Sequence, residues 1–275
     1  MKTNKTFVII LLMATMLLVH RPAFARDNSP DPFTTSENKK AFAREISLMI
    51  GKAWKEWQDK VEINDVAVDG SGGVIFTGAI HEPSLTKRAI MKDFVRGEKS
   101  RAYAKCVVII SEALEDGMRK WQWGYSNGKI IFPQGSSCLY TLTPCRNMPL
   151  GVSRGKSSGR GSMESGELYD LMYYRAPSLK GNYLKIFKAA SVAIAECFTK
   201  WEEECVISGI TAKGGVAPSP SPLGQGPGPV RGATGNGGRL TGAYFDGELM
   251  YVRMCRILDE LEGIEKGQGS GGQGS

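Results

Sequence analysis

The chain reads NYLKIFKAASVAIAECFTKWEEECVI at residues 182–207, and this stretch decides the fold. Its apolar side chains recur at steps of three and four residues, which places them on one face of an α-helix. They are Tyr183, Ile186, Phe187, Ala190, Ile194, Cys197, Phe198 and Trp201. After three glutamates the sequence changes to the β-prone pair Val206 and Ile207. The stretch therefore predicts an amphipathic helix from about Asn182 to Glu204 that leads directly into a short strand.

Two other predicted helices end in the same way. The sequences KEW at 55–57, KW at 120–121 and KW at 200–201 each close a helical pattern. A β-prone run follows each tryptophan within about ten residues, and a Gly-rich loop comes after it. The recurrence indicates either a weakly repeated helix–strand unit or a chance recurrence of aromatic residues at helix ends. We expect Trp57, Trp121 and Trp201 to be buried against the strands that follow them.

The other periodic segments extend this scheme over the whole chain. Further helices are predicted at about 36–60, at 85–121 with an interruption near Gly97, at 163–175 and at 242–263. Short strands are predicted at 61–68, 74–76, 130–132 and 206–210. We therefore expect an α+β fold, mainly α, in which amphipathic helices are followed by short strands and long Gly/Pro-rich loops.

Composition divides the chain into regions. A helix and strand region covers 26–150, a Gly/Ser-rich basic loop covers 151–166, and a helical region covers 167–263. A Gly/Pro-rich insert at 214–238 interrupts the last of these regions. Residues 264–275 are expected to form a flexible tail, because they end in a run of Gly, Gln and Ser.

The first 25 residues have the pattern of a secretory signal peptide. Two lysines precede an apolar run from Phe7 to Val19, and Ala23-Phe24-Ala25 offers a cleavage site. The run is shorter than the roughly 20 apolar residues that span a bilayer, so the pattern favours cleavage over a retained membrane anchor. We therefore expect an exported, periplasmic or extracellular protein that begins at Arg26 and has no membrane span after processing.

Charge and histidine content narrow the function classes. The predicted signal holds three of the 35 basic residues and none of the 28 acidic ones, so the mature chain carries a formal charge of +4. So small a charge does not indicate a nucleic-acid binder. His81 is the one histidine outside the signal, which argues against histidine-dependent nucleophiles and multi-histidine zinc sites. We predict no catalytic residue, no metal and no cofactor.

Six cysteines follow the signal: Cys106, Cys138, Cys145, Cys197, Cys205 and Cys255. An even number in an exported chain favours disulfides over buried free thiols, and the spacings do not suit a zinc site. A disulfide is predicted between Cys138 and Cys145, which are close in a segment broken by Pro144. Cys197 and Cys205 would be roughly 12 Å apart along a continuous helix. Either they pair elsewhere, or the helix ends before Cys205.

The basic loop contains two imperfect enzyme motifs and a group of cations. The sequence GVSRGKS at 151–157 is one residue short of a P-loop, and its S-x-x-K spacing lies between glycines rather than on a helix. Neither motif indicates an enzyme. Arg154, Lys156 and Arg160 are candidate anion-binding residues, since the loop has no acidic side chain among them. A solvated loop without a ligand is the alternative.

These observations predict a non-enzymatic structural or interaction protein of the cell envelope or extracellular space. Its partner would be a protein or an envelope polymer, and homo-oligomerisation is left open. A carboxylate-dependent cell-wall or glycan hydrolase is the alternative function. The hydrolase needs two facing acids in a cleft, one with a raised pKa, whereas the interaction protein needs an exposed apolar patch or an unpaired strand edge.

Overall fold

The computed structural model describes residues 31–69, 72–80, 82–97, 99–132, 145–213 and 233–269. The fold is α+β and mainly α, as predicted. The helices of this part of the chain are α1 (Ser36–Gln58), α2 (Lys87–Ile90), α3 (Arg101–Gly124), α4 (Ser165–Arg175), α5 (Asn182–Glu204) and α6 (Gly247–Gly269). The predicted bounds of α5 are confirmed, and the predicted interruption near Gly97 separates α2 from α3.

The helix caps differ in part from the prediction. The sequence predicts Ser36 as the cap of α1, but the hydroxyl of Thr35 accepts the hydrogen bond from a backbone N–H of its first turn. The sequence also predicts Ser84 as the cap of the region from Leu85, whereas Thr86 caps α2 and Ser100 caps α3. Each of these caps has extended backbone angles, which stop the helix from beginning earlier.

The last helix begins later and ends later than predicted. Gly242, its predicted first residue, instead ends the strand at 239–242, and Asp246 accepts a hydrogen bond from the Leu249 N–H at 3.0 Å. The helix then continues to Gly269, into the region expected to be a flexible tail. Residues 270–275 of that tail lie outside the described residues.

Ten short strands in the described residues form two antiparallel sheets. They are β1 (Val66–Asp69), β2 (Gly72–Ile75), β3 (Tyr125–Ile131), β4 (Cys145–Arg146), β5 (Leu150–Gly151), β6 (Lys156–Ser157), β7 (Cys205–Ser208), β8 (Thr211–Lys213), β9 (Ala233–Asn236) and β10 (Arg239–Gly242). The larger sheet has the order β4-β8-β9-β1-β2-β3-β6, and the smaller has the order β10-β7-β5. The N–H of Met148, just after β4, donates to the Ile131 carbonyl of β3 at 2.8 Å. The larger sheet must therefore curve to bring these two parts together.

The sequence Tyr125-Ser126-Asn127-Gly128 predicts a turn, but these residues are the first half of β3. The Tyr125 side chain is buried, and its hydroxyl donates to the Val152 carbonyl at 2.9 Å. Because this ring is buried, β3 begins directly at the end of α3 and no turn separates them. The sequence also predicts at most one strand in the segment 133–149, at 139–142, which lies outside the described residues.

The two terminal helices of the described chain pack closely on each other. A Cβ atom at Gly51 of α1 would lie 2.9 Å from the Gly247 Cα of α6, so glycine is needed where the two backbones cross. Further along, Lys39 of α1 forms an ion pair with Glu262 of α6 at 2.7 Å. The helices therefore run antiparallel and join the regions that composition had separated.

The three tryptophans that end helices are buried, as predicted, and they meet at one centre. Trp57, Trp121 and Trp201 are 3%, 0% and 1% exposed. The ring of Trp201 lies 5.9 Å from that of Trp57 and 5.5 Å from that of Trp121. Trp54 joins them, 5.2 Å from Trp201. The strands that follow were expected to be the main partners, but the rings pack largely on one another because three helix ends converge.

Hydrogen bonds connect the same three helix ends. The indole N–H groups are held by three acceptors: Trp201 donates to Gln58 (2.7 Å), Trp121 to Glu202 (3.0 Å) and Trp57 to the Pro83 carbonyl (2.9 Å). Gln58 and Glu202 each directly follow a tryptophan of the centre. Gln122, which follows Trp121, donates to the same Pro83 carbonyl at 3.1 Å. Gln58 and Glu202 thus each accept from an indole N–H, whereas Gln122 donates to a carbonyl that also accepts from one.

The segment 151–166 is packed against α3 and is not a solvated loop. A Cβ at Gly159 would clash with the Lys120 carbonyl, and one at Gly155 would clash with the Tyr125 hydroxyl. The hydroxyl of Ser157 donates to the Trp121 carbonyl at 2.7 Å, and that of Ser162 donates to the Gly117 carbonyl at 2.8 Å. The glycines therefore permit close backbone approach, and the segment satisfies carbonyl groups of the last turns of α3.

Candidate protein-binding surface

Large apolar side chains are exposed along the outer face of the larger sheet and at its end. They are Val74, Phe76, Trp123, Ile131 and Met148, whose exposed fractions are 36%, 59%, 55%, 53% and 50%. We call these five residues the apolar strip. The alternate residues on the same strands, including Ile75 and Ile130, are fully buried. The strip therefore lies on the face that is normally polar in an antiparallel sheet with one side on the core.

Strand register relates two members of the apolar strip directly. Ile131 lies opposite Gly72, which is two residues before Val74 on the same face of β2. Met148 is joined to Ile131 by the backbone hydrogen bond described above. Trp123 lies at the end of α3, and its ring is 3.5 Å from the position of a Cβ at Gly78, two residues beyond Phe76. Exposed apolar side chains grouped in this way are typical of an interaction site.

A hollow of about 350 Å³ lies beside Val74. Its lining includes Ala67, Asp69, Gly72, Val74 and Gly128. Gly72 and Gly128 have no side chain on this exposed face, and a Cβ at Gly128 would meet nothing within 4 Å. The hollow consequently exposes backbone between the Val74 side chain and the Asp69 carboxylate, and it has room for an apolar group of a partner. We call it the glycine hollow.

A second hollow of about 580 Å³ lies beside Phe76. Three carboxylates and one ammonium group line it, from Glu62, Asp65, Glu82 and Lys60. We call it the acidic groove. Glu62 also forms an ion pair with Arg239, so one of the three negative charges is balanced.

The walls of the acidic groove are held in place by hydrogen bonds. The Gly237 N–H donates to the Asn64 side-chain oxygen, and the Asp65 N–H donates to the Asn236 side-chain oxygen, both at 2.9 Å. On the opposite wall, the Pro83 carbonyl accepts from the tryptophan centre. The groove is therefore preformed, as small-molecule and side-chain pockets usually are.

The predicted anion-binding residues are divided by the structure. Arg154 and Lys156 are exposed on and beside the edge strand β6, and no ion pair with a described residue engages either of them. Arg160 points elsewhere: its guanidinium bonds Glu202 at 2.8 Å and Thr199 at 3.0 Å and lies over the Phe198 ring. Arg160 therefore already has an acidic partner in this chain, and an anion site that it shares with the other two stays a prediction.

Two groups of residues on this surface were not found from the sequence. One is Lys129, which lies on β3, the strand that pairs with β6. It belongs to a run from Tyr125 to Met163 that contains no acidic residue, and this run could have identified it as part of a basic surface. The apolar strip also left a trace, since Val74, Ile75 and Phe76 are consecutive. Three successive strand residues cannot all face one core.

The described cysteines form no disulfide with one another. Cys106, Cys197 and Cys205 are buried free thiols, and Cys255 is a partly buried one. Burial raises the pKa of Cys106, Cys197 and Cys205 to about 12. Helix α5 ends at Glu204, which is the second of the two alternatives stated for Cys197 and Cys205. The predicted Cys138–Cys145 disulfide lies outside the described residues, since Cys138 is not among them.

Asp93 and Glu262 have a lowered pKa, and both lie outside the acidic groove. A hydrogen bond from Lys52 lowers the pKa of Asp93, and a hydrogen bond from Lys39 lowers the pKa of Glu262. A general acid needs a shift in the opposite direction. No cluster of three or more His, Cys, Asp or Glu side chains suited to a metal ion occurs in the part of the chain that is described.

Comparisons of this chain with protein-family models, curated proteins and solved structures give no match. None of the described helices combines the length and apolar character needed to cross a bilayer.

Proposed function

We propose that this is an exported, non-enzymatic interaction protein that binds another protein through the apolar strip, in the cell envelope or the extracellular space. The observation that carries the proposal is the group of five exposed apolar side chains, with a hollow beside Val74. Fully burying one such side chain contributes about 1.5–3 kcal/mol. A few anchors of this kind supply most of the affinity of many protein interfaces. A protein segment suits the strip better than a glycan, which offers few apolar groups.

Site-directed photo-crosslinking in the native organism tests the proposal. A photoreactive amino acid replaces Phe76 or Ile131 in the full chain, including the signal. Val252 of α6 is the matched control position, because it is 60% exposed against 59% for Phe76. We expect one and the same partner protein to be captured from positions 76 and 131 and not from position 252. Equal capture at position 252, or crosslinks to a second copy of this chain alone, would contradict the proposal.

Affinity measurements with the captured partner complete the test. Phe76→Ser and Ile131→Ser should each weaken binding by about tenfold or more, whereas Val252→Ser should leave it unchanged. The melting temperature of all three variants should stay close to that of the wild type, since each side chain is more than half exposed. A large fall in melting temperature without a change in affinity would show that the strip supports the fold instead.

A carboxylate-dependent glycan hydrolase is the second candidate function. It is favoured by the acidic groove, in which three carboxylates lie beside the exposed Phe76 ring. The purified mature chain would be incubated with cell-wall glycan, and released reducing ends would be measured. Activity that is lost in two of the variants Glu62→Gln, Asp65→Asn and Glu82→Gln would favour the hydrolase. No release by the wild type would remove this candidate.

A further inference from the structure

We infer that the partner carries acidic side chains next to its apolar anchors, and that Lys129, Arg154 and Lys156 recognise them. This inference rests on the proposed function, because it assigns the chemistry of the segment that binds the same surface. We call these three residues the cationic edge.

The positive charges of the cationic edge are not balanced by ion pairs with described acidic residues. The run from Tyr125 to Met163 holds five basic residues and no acidic one. The structure neutralises Arg160 of that run through Glu202. Of the other four, Arg146 lies on β4, and Lys129, Arg154 and Lys156 lie on or beside β3 and β6. All four are exposed, and no ion pair with another described residue engages them. By contrast, many cations elsewhere on the described surface have acidic partners, such as Lys87 with Glu112.

The backbone around Lys156 is held in place by β3 and by the Tyr125 side chain. Lys156 pairs with Ser126 of β3, and the chain leading to it is fixed by the bond from the Tyr125 hydroxyl to the Val152 carbonyl. Gly155, between the two cations, packs directly on the Tyr125 ring. The backbone of the cationic edge is therefore preorganised, which reduces the ordering cost of binding an anion.

The cationic edge adjoins the apolar strip on β3. Lys129 and Ile131 lie two residues apart on β3, and Gly128 beside them lines the glycine hollow. Arg154 lies two residues before Lys156, which pairs with Ser126 in the first half of β3. A segment seated on the strip would therefore meet these cations at its border. Charges at the rim of an interface steer association and select the partner.

Lysine on an edge strand also serves to prevent edge-to-edge aggregation, and that role alone requires no ligand. The test must separate the two roles. A fluorescent probe peptide of about twelve residues would alternate apolar and hydroxyl side chains and end in glutamates, and a matched probe would end in lysines. Binding to the full mature chain would be followed by anisotropy at low and at high salt. The acidic probe should bind about tenfold more tightly than the basic one at low salt.

The decisive comparison uses two triple variants of equal charge. Lys129→Gln with Arg154→Gln and Lys156→Gln should weaken the acidic probe about tenfold and remove most of its salt dependence. Arg88→Gln with Arg101→Gln and Lys180→Gln is the control, since these residues are also exposed and engage no described acid. Equal weakening by both triples would overturn the inference, because net charge alone would then explain binding. Equal affinity for both probes would overturn it as well.

Two further outcomes separate this inference from the proposed function. If Phe76→Ser abolishes probe binding while the cationic triple does not, the apolar strip stands and the cationic edge fails. If Phe76→Ser has no effect while the triple abolishes binding, the proposed function fails. Capture of phosphatidylglycerol vesicles through the cationic edge, without binding of the acidic probe, would assign the edge to a membrane surface and overturn the inference.

Discussion

Trp201 stabilises the fold both through its ring and through its indole N–H. The ring packs on three other tryptophans, and the N–H donates to Gln58 at 2.7 Å. Trp201→Ala should therefore lower the free energy of unfolding by about 3–5 kcal/mol, since it opens a cavity and leaves the Gln58 oxygen unpaired. Urea unfolding followed by circular dichroism measures the change. Trp123→Ala is the control, and it should stay within about 0.5 kcal/mol of the wild type because that ring is largely exposed. Equal losses in the two variants would contradict this role for the centre.

Gly159 and Gly161 differ in the space around them, although they are two residues apart. A Cβ at Gly159 would clash with the Lys120 carbonyl, whereas one at Gly161 would meet nothing within 4 Å. Gly159→Ala should therefore cost about 1–3 kcal/mol of stability. Gly161→Ala should change it by less than about 0.5 kcal/mol. Thermal unfolding of both variants checks the difference, and similar melting temperatures would show that segment 151–166 does not pack on α3 as described.

At the scale of elements, we expect the stability that the contact between α1 and α6 contributes to depend on pH. The hydrogen bond from Lys39 holds the pKa of Glu262 below its usual range. A carboxyl group with a lowered folded pKa contributes its stability above the unfolded pKa of about 4.3, and loses it as the pH falls through the folded pKa. Glu262→Gln should therefore cost about 1–2 kcal/mol at pH 7, because the Lys39 ammonium is buried and loses its charged partner. The difference from the wild type should vanish as the pH falls toward about 3.

Unfolding in urea at a series of pH values measures this dependence. Asp259→Asn serves as the control, since its ion pair with Lys40 joins the same two helices at an exposed position. That variant should stay within about 1 kcal/mol of the wild type at every pH. A Glu262→Gln difference that stays constant from neutral to acid pH would contradict the assignment of the effect to this carboxylate.

The sequence predicted the long helices well and the sheets poorly. Helix α5 carries its apolar period over many turns, so both ends of the helix could be placed from local residues. Strand β1, however, pairs with β9, in which Ala233 lies opposite Val68. No local pattern encodes a partner that far along the chain. Strands β4, β5 and β6 have two residues each, which is too short for a periodic signal.

Part of the candidate surface could not be predicted from the sequence, for a different reason. The glycines of segment 151–166 predict a loop, but at Gly155 and Gly159 glycine permits close approach of other atoms. Composition does not distinguish these two uses of glycine. Arg160 was grouped with Arg154 and Lys156 because they are near in sequence. The ion pair between Arg160 and Glu202 depends on the packing of α5 beside this segment, which the sequence does not predict.

On the scale of the whole molecule, cysteine chemistry tests both the export proposal and the core. The exported chain should have lost residues 1–25, and it should contain one disulfide, between Cys138 and Cys145, and four free thiols. With a pKa of about 12, Cys106, Cys197 and Cys205 are ionised to only about one part in ten thousand at pH 8, so they should resist alkylation in the folded protein. Intact mass and peptide mapping, with alkylation before and after denaturation, measure all of these features. A disulfide that involves Cys197 or Cys205 would contradict the described core.

The contact between α1 and α6 also sets the order in which the protein can fold. Helix α1 buries its Gly51 face on residues that are synthesised about 200 positions later, so its core cannot close until Gly247 and the following turns are available. A ribosome-bound or partly translocated chain lacks that covering helix. If the protein is exported in an unfolded state, this late closure keeps the chain unfolded until its last segment has crossed the membrane. The mature protein would then acquire its tryptophan centre and its binding surface only on the far side of the membrane.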